Sequence, residues 1–393
     1  MLAAVLAPLG ALLPPAALAG QEANDCLRDR QRCGERRGGK QGNTNFPSCK
    51  KCCSGRSVKT KKARRCAGRP DGMRCSQDRH CRGGLCRDGS CLAADYIVCP
   101  RGCDFDDVHA AVEAAERGRT VYLGANTYGF ERTLTIGKDL TLVGAGANKT
   151  TLEGDGVRVI DIVAGATVVI RNLTITEGLA QSGSGGGIRN KGNLTLEGVD
   201  VADNQAASNP GNNQPTDGGG IYNTGTLALS SFCKVMENSA SNGGGIRNDG
   251  GSVTLTDTIV TGNAAVEQGG GIATDGGELV FDQCQVADNA AGTNGGGISA
   301  TDASTKFTGL DGAVADNTAQ LDGGGIHVVR GTLTLGPGTF VTRNKATGNT
   351  SDGGGIIALF GAAVNIAASD IVVDNKPNNC VIDTGGTIPN CIG

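Results

Sequence analysis

The sequence has no tryptophan, few other aromatic residues and few histidines. Aromatic residues make up 3% of its 393 residues, and there are three histidines. So few rings argue against a strong site for stacking sugars. Past residue 20 no apolar run reaches the ~18 residues that a membrane-spanning helix needs. Glycine is abundant, at 65 residues, but it follows no Gly-X-Y period, which excludes collagen.

The first nineteen residues are apolar and predict a signal peptide, 1–19. They end in Ala17-Leu18-Ala19, the small-x-small pattern of a signal-peptidase site, although no lysine or arginine occurs before Arg28. An apolar helix packed on the protein is disfavoured by Pro8, Pro14 and Pro15. We therefore expect a secreted protein that is extracellular or associated with the cell surface.

Residues 20–91 predict a small basic module held together by disulfides. The segment contains 19 lysines and arginines against seven acidic residues, a balance of +12, and few aliphatic residues for a core. Its ten cysteines are Cys26, Cys33, Cys49, Cys52, Cys53, Cys66, Cys75, Cys81, Cys86 and Cys91. Zinc is the competing explanation for Cys49 with Cys52 and for His80 beside Cys81. The charge could bind an anionic polymer or could simply be the polar surface of a module without a core.

Residues 92–128 predict a linker, a capping helix and a first strand. Cys99 and Cys103 are placed to close a short loop. Apolar residues fall on one face of the segment 105–115, as in a short amphipathic helix, and alternation follows at 119–124.

From residue 129 to 393 the chain is built from two repeated marks, separated by a short alternating run. The first is Gly-Gly-Gly-Ile, which ends at Ile188, Ile221, Ile246, Ile272, Ile298, Ile326 and Ile356. The second is Val-x-x-Asn, which ends at Asn204, Asn238, Asn263, Asn289, Asn317, Asn344 and Asn375. Segments 132–144 and 157–176 keep the alternation without the glycine mark and are assigned to about two earlier coils.

This period predicts an all-β fold, a single-stranded parallel β-helix of about ten coils with an N-terminal capping helix. Three short strands in each unit of ~26 residues cannot bury their apolar side alone, whereas stacked units can. The glycine triplet fits a turn with positive φ or a close approach to the next coil. The repeat asparagines are expected at a bend, where their amides form a ladder along the stack.

The remaining cysteines fit this register. Cys233 and Cys284 lie two coils apart on the inward side, ~10 Å from each other, and are expected as buried free thiols. Cys380 and Cys391 are expected to pair and to hold the C-terminal end of the stack.

The pattern resembles the right-handed parallel β-helix proteins of the pectin-lyase-like superfamily. The entry Phe105-x-x-Val108-x-x-Ala111-Val112 resembles the first helix of that group, and the paired marks resemble the repeats of polymorphic outer-membrane proteins. The stretch Cys81-Arg-Gly-Gly-Leu-Cys86 resembles small secreted Cys-rich modules, with Arg82 in place of a cysteine. The resemblance implies a fold, and for an enzyme it implies a polysaccharide hydrolase, lyase or esterase.

No catalytic residue can be assigned from the sequence, so the catalytic site is unknown. Acidic residues recur before the repeat asparagine and before the glycine triplet, but both sets are expected at bends, as solvated edges. No cofactor is expected, with Ca²⁺ the one candidate. The insertions 205–217 and 345–352 project from one edge and could form a binding face.

The sequence favours a bacterial-type adhesion or binding scaffold for polysaccharide or envelope components. A carbohydrate-active enzyme, a polysaccharide lyase or glycoside hydrolase, is the alternative, and a structural envelope protein without a ligand is the second alternative. A cluster of three carboxylates on one exposed mid-strand face would favour the enzyme.

Overall fold

The computed structural model describes residues 57–60, 63–66, 86–87, 90–91 and 96–391, the last range with gaps at 102, 182, 208–215, 303, 350, 368–370 and 384–390. The chain divides into two compact units, Met1–Ala93 and Ala94–Gly393. In the first unit Ser57–Thr60 pairs with Ala63–Cys66, and Cys86–Arg87 pairs with Ser90–Cys91, both antiparallel. The expected signal peptide and most of the Cys-rich module lie outside the described residues.

The second unit is a parallel β-helix, as the repeat predicts. Each strand pairs in parallel with the equivalent strand of the coil before and the coil after it, which produces four sheets that run along the axis. Three of the sheets contain ten or eleven strands in the described part of the chain, in agreement with the expected number of coils.

The sheets are named A to D in the order in which a coil enters them after the glycine triplet. Sheet A contains Leu134–Ile136, Ile160–Ile162, Ile188–Asn190, Ile221–Asn223, Ile246–Asp249, Ile272–Asp275, Ile298–Thr301, Ile326–Val329, Ile356–Leu359 and Cys380–Ile382. Sheet B contains Tyr96–Val98, Arg119–Leu123, Leu140–Val143, Thr167–Arg171, Asn193–Glu197, Thr226–Ser230, Ser252–Thr256, Glu278–Asp282, Lys306–Leu310, Thr332–Leu335 and Ala363–Ile366. Sheet C contains Asn126–Phe130, Thr150–Gly154, Thr174–Thr176, Asp200–Ala202, Lys234–Met236, Ile259–Thr261, Gln285–Ala287, Ala313–Ala315, Phe340–Thr342 and Ile371–Val373. Sheet D, which was not predicted, contains Leu179–Gln181, Gln205–Ala207, Ser239–Ala240, Ala264–Ala265, Ala290–Ala291, Thr318–Ala319 and Lys345–Ala346.

The interior is a dry column of stacked aliphatic side chains. Val235 pairs with Val260, which pairs with Val286, and none of the three is exposed. Aromatic rings also enter this column, since Phe281 and Phe307 stack on adjacent coils with ring centroids 5.3 Å apart. Gly309 makes room for them, because a Cβ there would lie 2.6 Å from the Phe281 ring.

The glycine triplet combines both of its expected roles. The first glycine turns the chain with positive φ, as at Gly243, where φ is 61°. The second lies against the next coil, so that a Cβ on Gly244 would stand 2.4 Å from the Ala264 carbonyl oxygen. A positive φ at the first position and a close backbone contact at the second both favour glycine, which explains why the triplet recurs.

The seven repeat asparagines form one continuous ladder inside the bend between sheets C and D. Asn263 is typical: its Nδ2 and its backbone N–H both donate to Oδ1 of Asn289, at 2.9 and 3.0 Å. All seven are buried, and Asn375 ends the ladder by donating to Asn379. The left-handed conformation at this bend falls on the residue before the asparagine, as at Asp288 with φ 57°.

A second, shorter asparagine ladder lies inside the bend between sheets A and B. Asn190 donates to Asn223 at 2.7 Å, and Asn223 donates to Asn248 at 2.8 Å. Asn248 then donates to the hydroxyl of Thr274 at 3.1 Å, after which Ala300 and Val328 occupy the position. This ladder was missed because its residues change from coil to coil.

The helix α1, Val108–Ala114, lies within the segment predicted for the cap. Asp107 caps its N-terminus by accepting the backbone N–H groups of His109 and Ala110. Val108, Ala111 and Val112 are buried and belong to the same cluster as the interior of the first coils. The apolar face of α1 is therefore continuous with the core of the β-helix.

Candidate functional site

The outer face of sheet A changes character along the axis. The residue after each repeat isoleucine points outward, because side chains alternate along a strand. In chain order this position holds Asp161, Arg189, Tyr222, Arg247, Ala273, Ser299, His327 and Ile357. The first four are charged or polar and partly exposed, and the last four are buried. The polar half is the candidate site.

An ion pair occupies the N-terminal end of this polar half. Arg189 donates to both carboxylate oxygens of Asp161, at 2.8 and 2.5 Å. Burial raises the pKa of Asp161, but the hydrogen bonds and charge of Arg189 outweigh it and leave that pKa below its usual value. Arg158 lies nearby, where burial and the charge of Arg189 lower its pKa, and it donates to the carbonyl oxygens of Gly185 and Ser184.

Arg247 is the centre of the site. Its side chain is 15% exposed, and its guanidinium lies between two carboxylates, 3.7 Å from Asp217 and 3.3 Å from Asp275. The shorter contact is a hydrogen bond to Asp275. The contact to Asp217 exceeds hydrogen-bonding distance, so the buried Nε–H has no acceptor among the described residues. A cavity of about 370 Å³ opens beside it, lined by Asn242, Arg247, Glu267, Gln268, Asp275, Thr301, Asp302 and Arg330.

A third carboxylate, Asp249, lies on the strand next to Asp275. The two residues are register partners at the ends of adjacent sheet A strands, so their Cα atoms are one strand spacing apart, ~4.8 Å. Tyr222 donates its hydroxyl to Asp249 at 2.6 Å, and burial, followed by this hydrogen bond, raises the pKa of Tyr222. Asp217 and Asp275 therefore flank Arg247, and Asp249 lies beside Asp275 on the strand of Arg247.

The two histidines of the described residues lie away from these carboxylates. His327 follows a repeat isoleucine and so points outward from the strand, but it is 4% exposed. Its Nδ1 lies 3.4 Å from the Ser299 hydroxyl, which donates to Gln268. Burial lowers the pKa of His327 to about 4, against a smaller opposing effect of Asp322. His109 on α1 contacts the Arg132 carbonyl through Nε2 and the Phe130 ring edge-on.

The two acidic ladders do lie at bends. Residues before the repeat asparagine have positive φ, and Arg343 pairs there with Asp316 through two hydrogen bonds. The residues before the glycine triplet bond to one another along the stack, as when Asn242 donates to Asp217 at 3.0 Å. Asp217 thus belongs to a bend ladder and to the Arg247 site together. Within the described ranges no group of three or more His, Cys, Asp or Glu is placed to hold a metal ion.

The cysteines of the β-helix unit are either paired or buried. Cys99 and Cys103 form a disulfide, as do Cys380 and Cys391, with Cα–Cα distances of 5.5 and 6.2 Å. Cys233 and Cys284 are free and buried. Burial raises the pKa of both thiols, that of Cys284 to about 11, which keeps them protonated and unreactive. The side chains of the ten cysteines in 20–91 lie outside the described residues.

Of the two insertions predicted as a binding face, the first borders this region. Its described ends are the sheet D strand Gln205–Ala207 and the residues Thr216 and Asp217, the latter at the Arg247 site. The second insertion begins with the sheet D strand Lys345–Ala346, three coils beyond Ala264–Ala265, the sheet D strand that precedes the cavity-lining Gln268. Sequence reasoning missed Arg247, Tyr222 and Asp249. Reading the first and third residues after each repeat isoleucine would have found them.

Comparisons with known proteins find likeness in structure and none in sequence. No family model matches the chain, and no curated protein matches it. Pectate lyase Pel9A covers 72% of this chain and 80% of its own, at 12% identity and a TM-score of 0.43. Pectin methylesterase PemA from Erwinia chrysanthemi covers 75% and 94%, at 10% identity and a TM-score of 0.36. An alginate lyase from Paenibacillus sp. covers 70% and 95%, at 12% identity and a TM-score of 0.31.

At these identities the likeness concerns the fold and carries no activity to this chain. The strand register of the chain itself establishes the coils, and within the described residues no helix is long and apolar enough to cross a membrane. The second unit is a parallel β-helix, as its own strand register shows.

Proposed function

We propose that this protein is a secreted carbohydrate-active enzyme that binds a polysaccharide along the outer face of sheet A and cleaves it beside Arg247. The observation that carries the proposal is the position of Arg247 between Asp217 and Asp275, with Asp249 next to Asp275 in register. Asp249 and Asp275 lie at the ends of adjacent sheet A strands and Asp217 lies at the adjoining bend, and this cluster of carboxylates supports an enzyme over a plain scaffold.

The spacing of the carboxylates suits glycoside hydrolysis. Hydrolysis of a glycosidic bond requires one carboxyl group to protonate the leaving oxygen and a second to act as nucleophile or base, at ~5–9.5 Å from each other. Asp249 and Asp275, on adjacent strands, support a separation at the short end of that range. Arg247 and the adjoining cavity would orient the sugar, since a guanidinium donates to hydroxyl and carboxylate oxygens alike.

A binding scaffold without cleavage is the second candidate, and one observation favours it. The carboxylates are already engaged, Asp249 by Tyr222 and Asp275 by Arg247, which is typical of a rigid recognition surface. The polar face also continues for two more coils to Asp161. Such a face would hold a polymer at a cell surface or in a matrix, with the basic module 20–91 as a separate site for anionic polymer.

A polysaccharide panel separates the two candidates. The full chain is assayed for retention on, and release of reducing or unsaturated ends from, polygalacturonate, alginate, xylan and chitin, with and without Ca²⁺. We expect Asp249→Asn and Asp275→Asn each to lower the cleavage rate by ~10²–10⁴-fold, the usual effect of removing an acid or base. Glu278→Gln, an exposed change on sheet B, is the matched control.

The outcomes of that panel are distinct. Retention without release of ends would leave the scaffold as the function, and neither retention nor release would refute both candidates. Loss of release on removal of Ca²⁺ would add a metal requirement. Secretion is tested by sequencing the N-terminus of the exported protein, which we expect to begin at Gly20.

A further inference from the structure

The residue that follows the sheet A strand has a left-handed conformation in five successive coils. After Ile246–Asp249 and Ile272–Asp275 it is a glycine, Gly250 and Gly276, with φ 71° and 70°. In the next three coils the position holds Asp302, Arg330 and Phe360, with φ 83°, 59° and 55°. The same turn is therefore made by glycine in two coils and by side-chain-bearing residues in three.

Arg330 and Phe360 are not the residues that this conformation favours. The left-handed region is uncommon for any residue other than glycine, asparagine and aspartate, and a bulky residue there is strained. Asp302 has a local reason, because its carboxylate accepts hydrogen bonds from the N–H and hydroxyl of Ser304, at 2.8 and 2.7 Å. Phe360 has no packing in return, since 70% of the residue is exposed.

The backbone of Phe360 is nevertheless held in place. Its N–H donates to the carboxylate of Asp383, which follows the next sheet A strand. An exposed ring on a fixed, strained turn is the kind of outlier that marks a functional position, because strain is retained where it serves binding.

The location of Phe360 relates it to the Arg247 cavity. Asp302 and Arg330 both line that cavity. Val329 and Leu359 are register partners, so Phe360 is the next residue in the same row, one strand spacing of ~4.8 Å beyond Arg330. Asp302, Arg330 and Phe360 thus follow one another along a single edge of sheet A, one residue beyond the row that contains Asp249 and Asp275.

We propose that Phe360 is a sugar-stacking platform at the far end of this row, where its ring binds a pyranose unit of the polysaccharide three coils from Asp275. The inference rests on the proposed function. It runs against the expectation, drawn from the low aromatic content, that a strong stacking site is absent. An aromatic ring offers the apolar face of a sugar a flat surface, and Arg330 beside it offers donors to the hydroxyl groups.

The chain contains a matched control for this ring. Phe232 is 76% exposed and has a φ of 63°, but it lies in the turn between sheets B and C, away from the cavity row. The variants Phe360→Gly and Phe232→Gly remove equally exposed rings from equally strained turns. Both should unfold at the temperature of the natural chain or above it, because glycine relieves the strain, so a change in binding would not reflect unfolding.

Affinity electrophoresis in gels containing polygalacturonate, alginate or xylan tests the proposal on the full chain. For the polymer that retards the natural chain, we expect Phe360→Gly to weaken the apparent Kd at least ~10-fold, Phe360→Trp to restore it, and Phe232→Gly to leave it unchanged. Equal retardation of the natural chain and Phe360→Gly would overturn this inference alone, as would equal weakening by both glycine variants. No retardation of the natural chain in any gel, together with no cleavage of chitin or of these polymers, would refute the proposed function and this inference with it.

Discussion

The two long stacks of polar side chains in this protein follow opposite rules. The asparagine ladder inside the bend between sheets C and D repeats one residue seven times, and every amide is buried and hydrogen-bonded to the next. The outer face of sheet A changes at every coil, from Asp161 to Arg189, Tyr222 and Arg247. The ladder repeats one residue because each coil must form the same amide hydrogen bond with the next coil. The outer face varies from coil to coil, so one part of it can have a chemical environment that the other parts lack.

The strongest test of the repeated interior is Gly244→Ala. The new Cβ would stand 2.4 Å from the Ala264 carbonyl oxygen and 2.6 Å from that of Gly270, both backbone atoms that cannot turn aside. We expect a loss of more than about 4 kcal/mol in the free energy of unfolding, an exceptional value for one substitution. Urea denaturation measures it. Gly250→Ala, with φ 71° but open space at its Cβ, should cost only about 1–2 kcal/mol, and equal losses would contradict the close approach.

Asn263→Ala breaks the ladder at its middle. The backbone N–H and the Nδ2–H of Asn238 both lose their acceptor in a buried place, and the Val235 carbonyl loses a donor. Unsatisfied buried groups cost about 1–3 kcal/mol each, so we expect a loss of about 4 kcal/mol by urea denaturation. Asn365→Ala, on the exposed side of sheet B, should change the value by less than about 0.5 kcal/mol. A small effect at Asn263 would show that the ladder is not needed for stability.

The burial of His327 predicts that the protein loses stability as the pH falls. Its pKa is about 4 when folded and near 6.5 when unfolded, so the unfolded chain binds the proton first as the pH falls. Its contribution to stability is therefore complete above pH 6.5 and is lost between pH 6.5 and 4, by up to about 3 kcal/mol. We expect His327→Gln to remove this part of the pH dependence in urea unfolding at pH 7.5, 5.5 and 4.5. The same slope in variant and natural chain would contradict the burial of the imidazole.

The smallest effect is expected at the ion pair of the outer face. Asp161→Asn should cost about 1 kcal/mol at pH 7, since the pair with Arg189 is only partly buried. Because its folded pKa is lowered, the contribution of Asp161 is present above its unfolded pKa of ~3.9 and is lost as the pH falls through the lower folded pKa. The variant and the natural chain should therefore differ less at pH 3 than at pH 7. Asp316→Asn, in the exposed pair with Arg343, should have no measurable effect.

The regularity of the two repeated marks explains how far the sequence alone could predict the structure. Every repeat valine in the described coils faces the interior, and the glycine triplet occupies the turn it was assigned to, because such positions obey a constraint that recurs in each coil. Phe281 and Phe307 inside the tube were not foreseen. Their accommodation depends on Gly309, a residue 28 positions away from Phe281 in the chain and one coil away in space.

The candidate site was beyond prediction for a related reason. The candidate site depends on the contacts of Arg247 with Asp217, thirty residues earlier, and with Asp275, one coil later. Neither contact leaves a spacing pattern, because each occurs once. The repeat isoleucines would have placed Tyr222, Arg247 and Asp249 on neighbouring strands of one face, but they do not show which side chains meet there.

The spacing of glycine, valine and asparagine by itself determined that this chain winds into stacked parallel coils with an aliphatic interior, since each coil must bury the same face against the next. Only the tertiary structure decided which outward side chains meet, that Arg247 lies between Asp217 and Asp275, and that Phe360 follows Arg330 along one edge of sheet A. Burial is periodic and can be read from the order of residues. A functional site does not follow the repeat, because it forms where the winding of the coil brings together residues that are distant in the sequence.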